Sequence, residues 1–568
     1  MKQLKAGPLL VLIVEFLFLC SAQRAASQTQ PTNSSGQQGA TSRLPELPAD
    51  GIPSLRKYIH DAWQTLTRSM TDCRSLADPK LKQQPVLYVP ADSQVPSQVQ
   101  QLETTCNIRV QQLPKDIGRL GDLKPGEIEN QGLLYLPNPY VVPGGRFNEM
   151  YGWDSYFIIR GLLSDNQSDL ARGMIENFFY EIEHYGALLN ANRTYYFTRS
   201  QPPFLTSMIM GYYNYQKSNG HEDREWLQKA YSFAQRDHNL WTNEPHLAGT
   251  TGLARYFDVG DGPVPEMGDD PHYYAQVASY LLLNPDPNYR YLAGSAKRSE
   301  PGAGPSFTFQ LCGETKSAGT DVQPCADQQK LSLSADYYKG DRAMRESGFD
   351  ISFRFGPFSG STHHFAPVCL NSLLYKAEMD LAEMASILGQ SNESNQWKER
   401  ARQRQAAINK YFWNAKTGMF FDYDFTRQQQ SSYHYAATFY RLWTGLATTQ
   451  QVQAVMRNLA SFEKPGGIAM SDQITGVQWD LPYGWAPLQL ITAEGLRRYG
   501  FNADADRVSG EFISNVLENF QRDGTIREKY NVVTRSSEAN VTAGYKANVV
   551  GFGWTNGVVL ELLRGLKK

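Results

Sequence analysis

The sequence predicts an all-α fold built from antiparallel helix pairs. Apolar residues recur at helical spacing in one long segment after another, and loops rich in Gly, Pro and aromatic residues separate these segments. Of the 568 residues, 41% are hydrophobic and 12% are aromatic, which is enough apolar surface for a large core. No second domain stands out after the polar N-terminal stretch. We therefore expect one helical domain over residues 51–568.

The individual helices are predicted from their periodicity. Between Leu370 and Leu388 the apolar positions lie three or four residues apart, and Gly389 follows as a stop signal. Further helices are predicted at 169–185, 223–242, 396–413, 449–461, 486–499 and 503–521, and a strand at 418–424. Residues 263–345 are the least regular part of the chain. We expect an inserted excursion there, at about 267–345, that lies over a pocket.

The first residues have the features of a secretory signal peptide. Lys2 and Lys5 precede the apolar run Leu9–Leu19, and small residues follow in Cys20–Ala22. The run is shorter than the roughly 20 residues that a membrane span needs. We expect residues 1–22 to be a signal peptide and residues 23–50 to be a disordered polar linker. Lipid attachment at Cys20 is the alternative, which the bulky residue before it disfavours.

Of the six cysteines, five follow the predicted signal peptide, and an exported protein can form disulfides. Cys312 and Cys325 enclose a short polar loop and are the preferred pair. Cys73 with Cys106 is a second plausible pair, which would leave Cys369 free.

The charge balance excludes some classes of partner. The net charge is −2 at pH 7, and no Lys/Arg run is present that would hold a nucleic-acid backbone or an anionic membrane. No Cys or His spacing is typical of a zinc site, and the neighbours His363 and His364 would point apart on a helix or strand. We expect a monomer without metal ion or cofactor, whose partner is a small molecule.

Two loop-like segments combine aromatic rings with carboxylates, amides and an arginine. They are Pro143–Tyr156, with the sequence PGGRFNEMYGWDSY, and Gln478–Pro487, with the sequence QWDLPYGWAP. Aromatic rings cover the apolar faces of a sugar, and charged or amide groups bond to its hydroxyls. Either segment alone is equally typical of core tryptophans with capping carboxylates. Two such segments favour one shared sugar-binding pocket.

Both segments resemble the signature motifs of the trehalases, the glycoside hydrolases of family 37, at every position that those motifs fix. The resemblance continues in the family's order through residues 190–203, 346–350, 527–530 and 551–557. The resemblance covers nearly all of the chain after residue 50, and among the trehalases it is to those of the periplasmic bacterial type. It implies an (α/α)6 barrel and a periplasmic α,α-trehalase. Such an enzyme uses water to hydrolyse trehalose to two glucose molecules, with inversion and without a cofactor.

Inverting glycosidases use two carboxyl groups about 6.5–9.5 Å apart, one protonated and one ionised. Asp350 has several phenylalanine neighbours, and apolar surroundings raise the pKa of a carboxyl. Glu528 lies between Arg527 and Lys529, which favour the ionised form. Locally, Asp350 is also typical of a helix cap or a partner of Arg354, and Glu528 of an exposed strand. The resemblance implies that Asp350 is the general acid and Glu528 the general base.

Further residues are expected to bind the sugar. Arginines can donate paired hydrogen bonds to neighbouring hydroxyls, and glycine lets the backbone approach a ligand. The predicted substrate-binding residues are Arg146, Trp153, Asp154, Asn190, Arg199, Ser200, Gln201, Glu266, Gly348, Gln478, Trp479 and Asp480. Arg354 and Trp485 are further candidates, and Asp480 is as well suited to orienting a neighbour as to touching sugar.

Two positions depart from the family pattern. Val264 stands where the family has an arginine, and Tyr545 with Lys546 replaces a Glu-Tyr pair, so one arginine and one carboxylate are absent. Two alternatives to a trehalase therefore stay open. One is a helical-barrel glycosidase that acts on another small α-glucoside, and the other is a sugar-binding relic without turnover. The retained Asp350 and Glu528 argue against the relic.

Overall fold

The computed structural model describes residues 48, 50–77, 84–267, 272–294, 304–310 and 328–566. The described residues belong to one compact unit within residues 44–568, and residues 1–43 lie outside the described residues. The predicted signal peptide and most of the predicted linker are therefore not described. In the described ranges, no helix combines the length and the apolar character that a membrane crossing requires.

Twelve helices of the described residues alternate between an outer and an inner ring. Their bounds are α1 Gly51–Leu66, α2 Gly152–Ser164, α3 Ser168–His184, α4 Leu205–Ser218, α5 Arg224–Trp241, α6 Val368–Ile387, α7 Ser391–Phe412, α8 Tyr440–Trp443, α9 Thr449–Met456, α10 Ala486–Arg498, α11 Asn502–Asp523 and α12 Gly553–Gly565. The even-numbered helices form the inner ring, in which each contacts the next and α12 contacts α2. Helices α1, α3, α5, α7 and α11 pack against this ring, and α9 follows α8 in the same alternation. The predicted (α/α)6 barrel is confirmed.

Burial separates most of the helices that periodicity predicted from most of those that it missed; the exceptions are the outer α1, which was missed, and the inner α6 and α10, which were predicted. The outer helices α3, α5, α7 and α11 each keep an exposed polar face, so they carry the amphipathic stripe from which they were predicted. The inner helix α2 is buried on nearly all sides and has no such stripe, and it was not predicted. The same holds for α4 and α12. The predicted helix 449–461 is interrupted after α9, and the predicted strand 418–424 is two short strands in different sheets.

The ring closes where its first and last inner helices meet. A Cβ atom on Gly161 of α2 would lie 2.4 Å from the Cα of Gly557 on α12. A Cβ atom on Gly557 would lie 2.2 Å from the backbone oxygen of Phe157. These spaces admit no side chain, so the two glycines allow the backbones of α2 and α12 to touch.

Short strands and short helices join the barrel helices. The antiparallel pairs are Thr67–Arg68 with Tyr140–Val141, Trp413–Asn414 with Met419–Phe420, Glu463–Lys464 with Gly467–Ile468, and Tyr483–Trp485 with Lys529–Asn531. The three-stranded sheets are Arg109–Gln112, Val86–Val89 and Leu133–Leu134, then Gln429–Gln430, Tyr423–Asp424 and Phe365–Ala366, and finally Leu292–Gly294, Gln328–Leu333 and Ser306–Gln310. Among the described residues, further short α-helices are Cys73–Leu76, Ser97–Gln100, Leu102–Thr105 and Leu459–Phe462.

The predicted excursion between α5 and α6 contains regular structure. Its described residues include the helices Tyr273–Leu283 and Ala335–Glu346 and the sheet of Leu292–Gly294. Their apolar side chains form a separate core that extends to Ile351. The excursion therefore packs against the loop that follows Asp350, and a covering role over the pocket stays a prediction.

One of the two expected disulfides lies within the described residues. Cys73 and Cys106 are bonded, with their Cα atoms 5.1 Å apart, and Cys369 is a buried free cysteine. The preferred pair, Cys312 with Cys325, lies outside the described residues.

Candidate active site

The connections from outer to inner helices gather around one cavity. They lead to the N-terminal ends of the inner helices, and the predicted site residues fall on the connections into α2, α4, α6, α10 and α12, or on the first turn of α2. The cavity has a volume of about 720 Å3. Twelve of the fourteen predicted site residues line it: Arg146, Trp153, Asp154, Asn190, Arg199, Gln201, Glu266, Gly348, Asp350, Gln478, Trp479 and Glu528. Ser200 and Asp480 do not.

Asp350 follows the helix Ala335–Glu346, and its side chain is 24% exposed. Burial raises the pKa of Asp350 to about 7, although the guanidinium of Arg345, with Nη1 3.8 Å from Oδ2, opposes this shift. The backbone oxygen of Asp350 accepts a hydrogen bond from the Gln478 side chain. A large share of Asp350 is therefore protonated near neutral pH, as a general acid requires.

Glu528 is held through its backbone and through one cation. Its N–H donates to the backbone oxygen of Val549 at 3.0 Å, and its carbonyl accepts from the indole N–H of Trp554 at 3.2 Å. The fully buried Nζ of Lys529 lies 2.9 Å from Oε2 of Glu528. The other cation that the sequence suggested, Arg527, extends to a carboxylate of α11 3.7 Å away. Lys529 is thus the cationic neighbour that pairs with the Glu528 side chain.

Asp154 is a third carboxyl at the cavity. It lies in the first turn of α2 and is 5% exposed. Burial raises the pKa of Asp154 well above its usual range, and the charges of Glu528 and then Asp350 raise it further. A carboxyl with a raised pKa keeps its proton to a higher pH than an ordinary one, and a protonated carboxyl can donate a hydrogen bond.

Tryptophan rings form the buried floor of the cavity. Trp479 and Trp485 stack with their ring centres 3.9 Å apart, and Trp153 lies 5.8 Å from Trp479. Trp153 and Trp479 are each only 1% exposed, so they border the cavity while most of each ring packs on its neighbours. Gly348 lies against this floor with φ +75°, and a Cβ atom there would lie 2.7 Å from the Trp153 ring.

Ser200 supports the loop before α4. Its hydroxyl donates to the backbone oxygen of Leu188 at 2.6 Å, and its backbone N–H donates to Oε1 of the buried Glu346 at 3.2 Å. The neighbouring Asn190 and Gln201 do line the cavity, and each also bonds to the backbone of a nearby loop or helix. The prediction that Ser200 contacts substrate is therefore revised, because both of its polar groups hold backbone in place.

Asp480 has a similar supporting position. Its carboxylate is fully buried and accepts hydrogen bonds from the backbone N–H of Phe353 at 2.9 Å and from the hydroxyls of Ser471 and Thr475 at 2.9 and 2.8 Å. The residues before it also bind the loop of Asp350, since Trp479 donates its N–H to a backbone oxygen there at 3.1 Å. Of the two readings of Asp480, the structure therefore favours orientation of a neighbour over contact with sugar.

The three candidate arginines have different surroundings. Arg199 is buried and pairs with Glu266, and both line the cavity. Arg146 is exposed at the rim of the cavity. Arg354 lies away from the cavity, where its Nε and Nη2 donate to both oxygens of Asp422 at 2.7 and 2.6 Å. Arg354 is therefore a structural residue rather than a clamp.

Some lining residues were not predicted. Arg345 donates to Asp341 through Nε and Nη2, at 3.3 and 3.2 Å, and to the hydroxyl of Tyr545 through Nη1 at 2.8 Å. It precedes the family-like segment 346–350 by one residue, so local sequence offered a signal. The buried pair Arg193 and Glu149, 2.6 Å apart, also lines the cavity and lies within family-like segments.

The two departures from the family pattern, Tyr545 and Val264, differ in whether they line the cavity. Tyr545 lines the cavity, next to Lys546, and its hydroxyl bonds to the same arginine that approaches Asp350. Val264 is 2% exposed within the core of the excursion and does not line the cavity, although the two residues after it do. Replacement of a carboxylate by Tyr545 therefore changes the cavity wall directly.

Comparisons with known proteins agree with this arrangement. The Trehalase family model matches residues 31–292 and 314–567. The chain is 34% identical to the cytosolic neutral trehalase of Saccharomyces cerevisiae over 87% of its own length and 69% of the relative's, and 34% identical to that of Emericella nidulans over 90% and 72%. The structure of neutral trehalase Nth1 from Saccharomyces cerevisiae matches with a TM-score of 0.70 and 30% identity, over 91% of this chain and 94% of that one.

These relatives correct one prediction. The periplasmic location expected from residues 1–22 is contradicted, because the similar proteins are named cytosolic neutral trehalases. The residues on which the prediction rested lie outside the described part of the chain.

The match of the family model to most of the chain, the curated trehalases and the shared barrel lead to one assignment. The chain belongs to the trehalase family and is a glycoside hydrolase that cleaves α,α-trehalose.

Proposed function

We propose that this trehalase inverts the configuration of the cleaved bond, with Asp350 as general acid and Glu528 as general base. One observation carries the proposal. The same cavity is lined by a carboxyl whose pKa burial raises to about 7, and by a carboxylate that pairs with a buried ammonium group. Such a pair of unlike carboxyl groups is what an acid and a base of glycoside hydrolysis require.

The reaction then proceeds in one displacement. Asp350 donates its proton to the glycosidic oxygen while the bond from that oxygen to C1 breaks. Glu528 accepts a proton from water, and the water oxygen bonds to C1 from the side opposite the leaving oxygen. One glucose leaves with its α configuration, and the other is released as the β anomer. One chain supplies both groups, so this scheme requires neither a second subunit nor a cofactor.

The other lining residues position the sugar. Asp154, whose pKa is raised by burial and by the neighbouring Glu528, donates a hydrogen bond to a sugar hydroxyl in its protonated form. Arg199 and Glu266, which neutralise each other, bind hydroxyls from one wall, and the exposed Arg146 does so from the rim. The excursion packs beside Asp350 and in this proposal covers the cavity.

Substitution of each carboxyl tests the assignment. Asp350→Asn and Glu528→Gln should each lower kcat by about 10²–10⁴-fold with trehalose, because neither amide can transfer the proton in question. Glu538→Gln changes an exposed glutamate that does not line this cavity, and it should keep wild-type activity. Either catalytic variant with more than a tenth of wild-type kcat, and with an unchanged melting temperature, would rule out its assigned role.

A second candidate function follows from Tyr545. The cavity wall carries a phenol where the family has a carboxylate, so one hydroxyl-binding group differs in charge and size. This favours a small α-glucoside other than trehalose as a competing substrate. Glucose release from trehalose, maltose, isomaltose, kojibiose and nigerose separates the candidates. A kcat/KM for another sugar above that for trehalose would favour the second one.

A further inference from the structure

Two adjacent histidines and one aspartate converge on the surface of the helix Ala335–Glu346, outside the active-site cavity. Oδ1 of Asp336 lies 3.0 Å from Nε2 of His363 and 3.3 Å from Nε2 of His364. One potential ligand atom from each of the three residues lies within 4.8 Å of the others. Three ligand atoms of the types that bind transition metals are therefore already gathered at one point.

The local backbone explains this convergence. His363 and His364 lie in a 3₁₀ turn, Thr362–His364, rather than on the regular helix or strand in which neighbours point apart. Their rings lie side by side, with centres 3.9 Å apart. The turn is held close to the helix because a Cβ atom on Gly340 would lie 1.8 Å from the backbone oxygen of Gly360. Backbone contact at this glycine brings Asp336 under both rings.

The spacing of the three groups suits a metal ion. Ligands at about 2.0–2.1 Å from a tetrahedral Zn²⁺ lie roughly 3.3 Å from one another. The observed separations of 3.0 and 3.3 Å are within a few tenths of an ångström of that value. An ion can therefore replace the two hydrogen bonds with little movement of the backbone.

The exposure of these three side chains and the charges around them are also compatible with binding of a metal ion. The Asp336 side chain is 51% exposed and that of His364 is 29% exposed, which leaves an entry path and an open fourth position for water. His363 is 7% exposed, so one ligand is fixed by its surroundings. The nearby Arg255 donates through Nη1 to the backbone oxygen of His363 at 3.1 Å, so its charge is directed at a carbonyl.

We propose that Asp336, His363 and His364 form a binding site for a divalent transition metal of the zinc type. Two imidazoles and one carboxylate favour Zn²⁺, Co²⁺ or Fe²⁺ over Mg²⁺ and Ca²⁺, which prefer oxygen ligands. The site connects the start of the helix that leads to Asp350 with the end of the loop that follows it. A bound ion joins both ends of the segment that carries the general acid and so stabilises that segment.

Zinc binding to the purified full chain, first stripped with EDTA, tests the proposal without substrate. Titration calorimetry with ZnCl₂ at 25 °C should show one saturable site in the wild type, and MgCl₂ should show none. His364→Gln should weaken Zn²⁺ binding by at least about 100-fold, because loss of a metal's outer partners alone costs 10–100-fold. His184→Gln is the matched control, since it removes a histidine paired with a single aspartate, and it should bind as the wild type does.

A second variant covers the case in which His364→Gln does not fold. Asp336→Asn changes a half-exposed side chain and should also remove the saturable site, with an unchanged circular dichroism spectrum. Zn²⁺ should raise the melting temperature of the wild type and not that of Asp336→Asn, because a ligand raises the melting temperature only when it binds the native state in preference to the unfolded chain. Equal Zn²⁺ binding by the wild type and the folded variants, or no binding by the wild type at micromolar Zn²⁺, would overturn the proposal.

Discussion

Replacement of Asp350 by Asn should abolish turnover and stabilise the fold, and the gain in stability should grow with pH. Burial raises the pKa of Asp350 to about 7 from the ordinary value of 3.8 for an aspartate side chain. Between these two values the folded state keeps the proton and the unfolded chain loses it. The free energy of unfolding of the wild type therefore falls as the pH rises from about 4 to about 7, and then levels off. Asparagine does not titrate, so the variant does not lose this stability as the pH rises.

The magnitude follows from the two pKa values. At pH 5 the free energy of unfolding of the wild type is lower by about 1.5 kcal/mol than it would be if Asp350 never ionised. At pH 8 this reduction is about 4 kcal/mol. The stabilisation of Asp350→Asn should thus be roughly 2.5 kcal/mol larger at pH 8 than at pH 5. Arg345, with Nη1 3.8 Å from Oδ2 of Asp350, limits the effect because it favours the ionised form.

Urea unfolding followed by tryptophan fluorescence measures this difference. Wild type and Asp350→Asn are compared at pH 5 and at pH 8. The pH dependence of all other groups is common to both proteins, so it cancels in the difference between their free energies of unfolding. The kcat for trehalose should fall by about 10²–10⁴-fold in the same preparation. A stability difference that is the same at both pH values would refute the raised pKa of Asp350, and with it the reason for its protonation near neutral pH.

The remaining predictions concern the cavity wall, the ring closure and the pH profile. Tyr545→Phe should lower kcat/KM for trehalose by roughly 2–10-fold, which is the value of one neutral hydrogen bond, with little change in melting temperature; an unchanged kcat/KM would show that this hydroxyl touches no sugar. Gly557→Ala should lower the free energy of unfolding by about 1–3 kcal/mol, because its Cβ would meet the backbone of α2 at 2.2 Å. Gly211→Ala, where nothing lies within 4 Å, should instead stabilise α4 by about 0.5–1 kcal/mol, and equal effects of the two changes would contradict the close approach. Finally, kcat should fall as the pH rises through about 7, since Asp350 then loses the proton that it must donate; a flat profile from pH 6 to 9 would exclude it as the acid.

Sequence periodicity predicted most of the outer helices and missed most of the inner ones, although it missed the outer α1 and predicted the inner α6 and α10. An outer helix such as α11 presents one face to water, so its apolar residues repeat at helical spacing. The inner helix α2 is buried on nearly all sides, and no polar face interrupts its apolar residues. Ring closure depends on contact between Gly161 and Gly557, which lie at opposite ends of the barrel sequence. Local pattern carries no information about such a contact, and the family resemblance supplied it.

Site residues were predictable from the sequence where the neighbouring residue types themselves indicate the chemistry. Asp350 lies among apolar residues, and its raised pKa follows from that burial. For Asp480 the sequence left two roles open, because a carboxylate next to a tryptophan looks the same whether it binds a ligand or holds a loop, and its hydrogen bonds favour the second. Likewise, His363 and His364 were expected to diverge, which holds in regular structure and fails in the tight turn that they occupy.

The stereochemistry of the released glucose tests the two-carboxylate account most directly. Proton NMR spectra, recorded within the first minutes of trehalose hydrolysis and before mutarotation, count the two anomers. If Glu528 activates water for attack opposite the oxygen that Asp350 protonates, equal amounts of α- and β-glucose should appear at the earliest times. If only α-glucose is formed at first, Glu528 is not the base of an inverting attack, and the cavity works by a retaining mechanism instead.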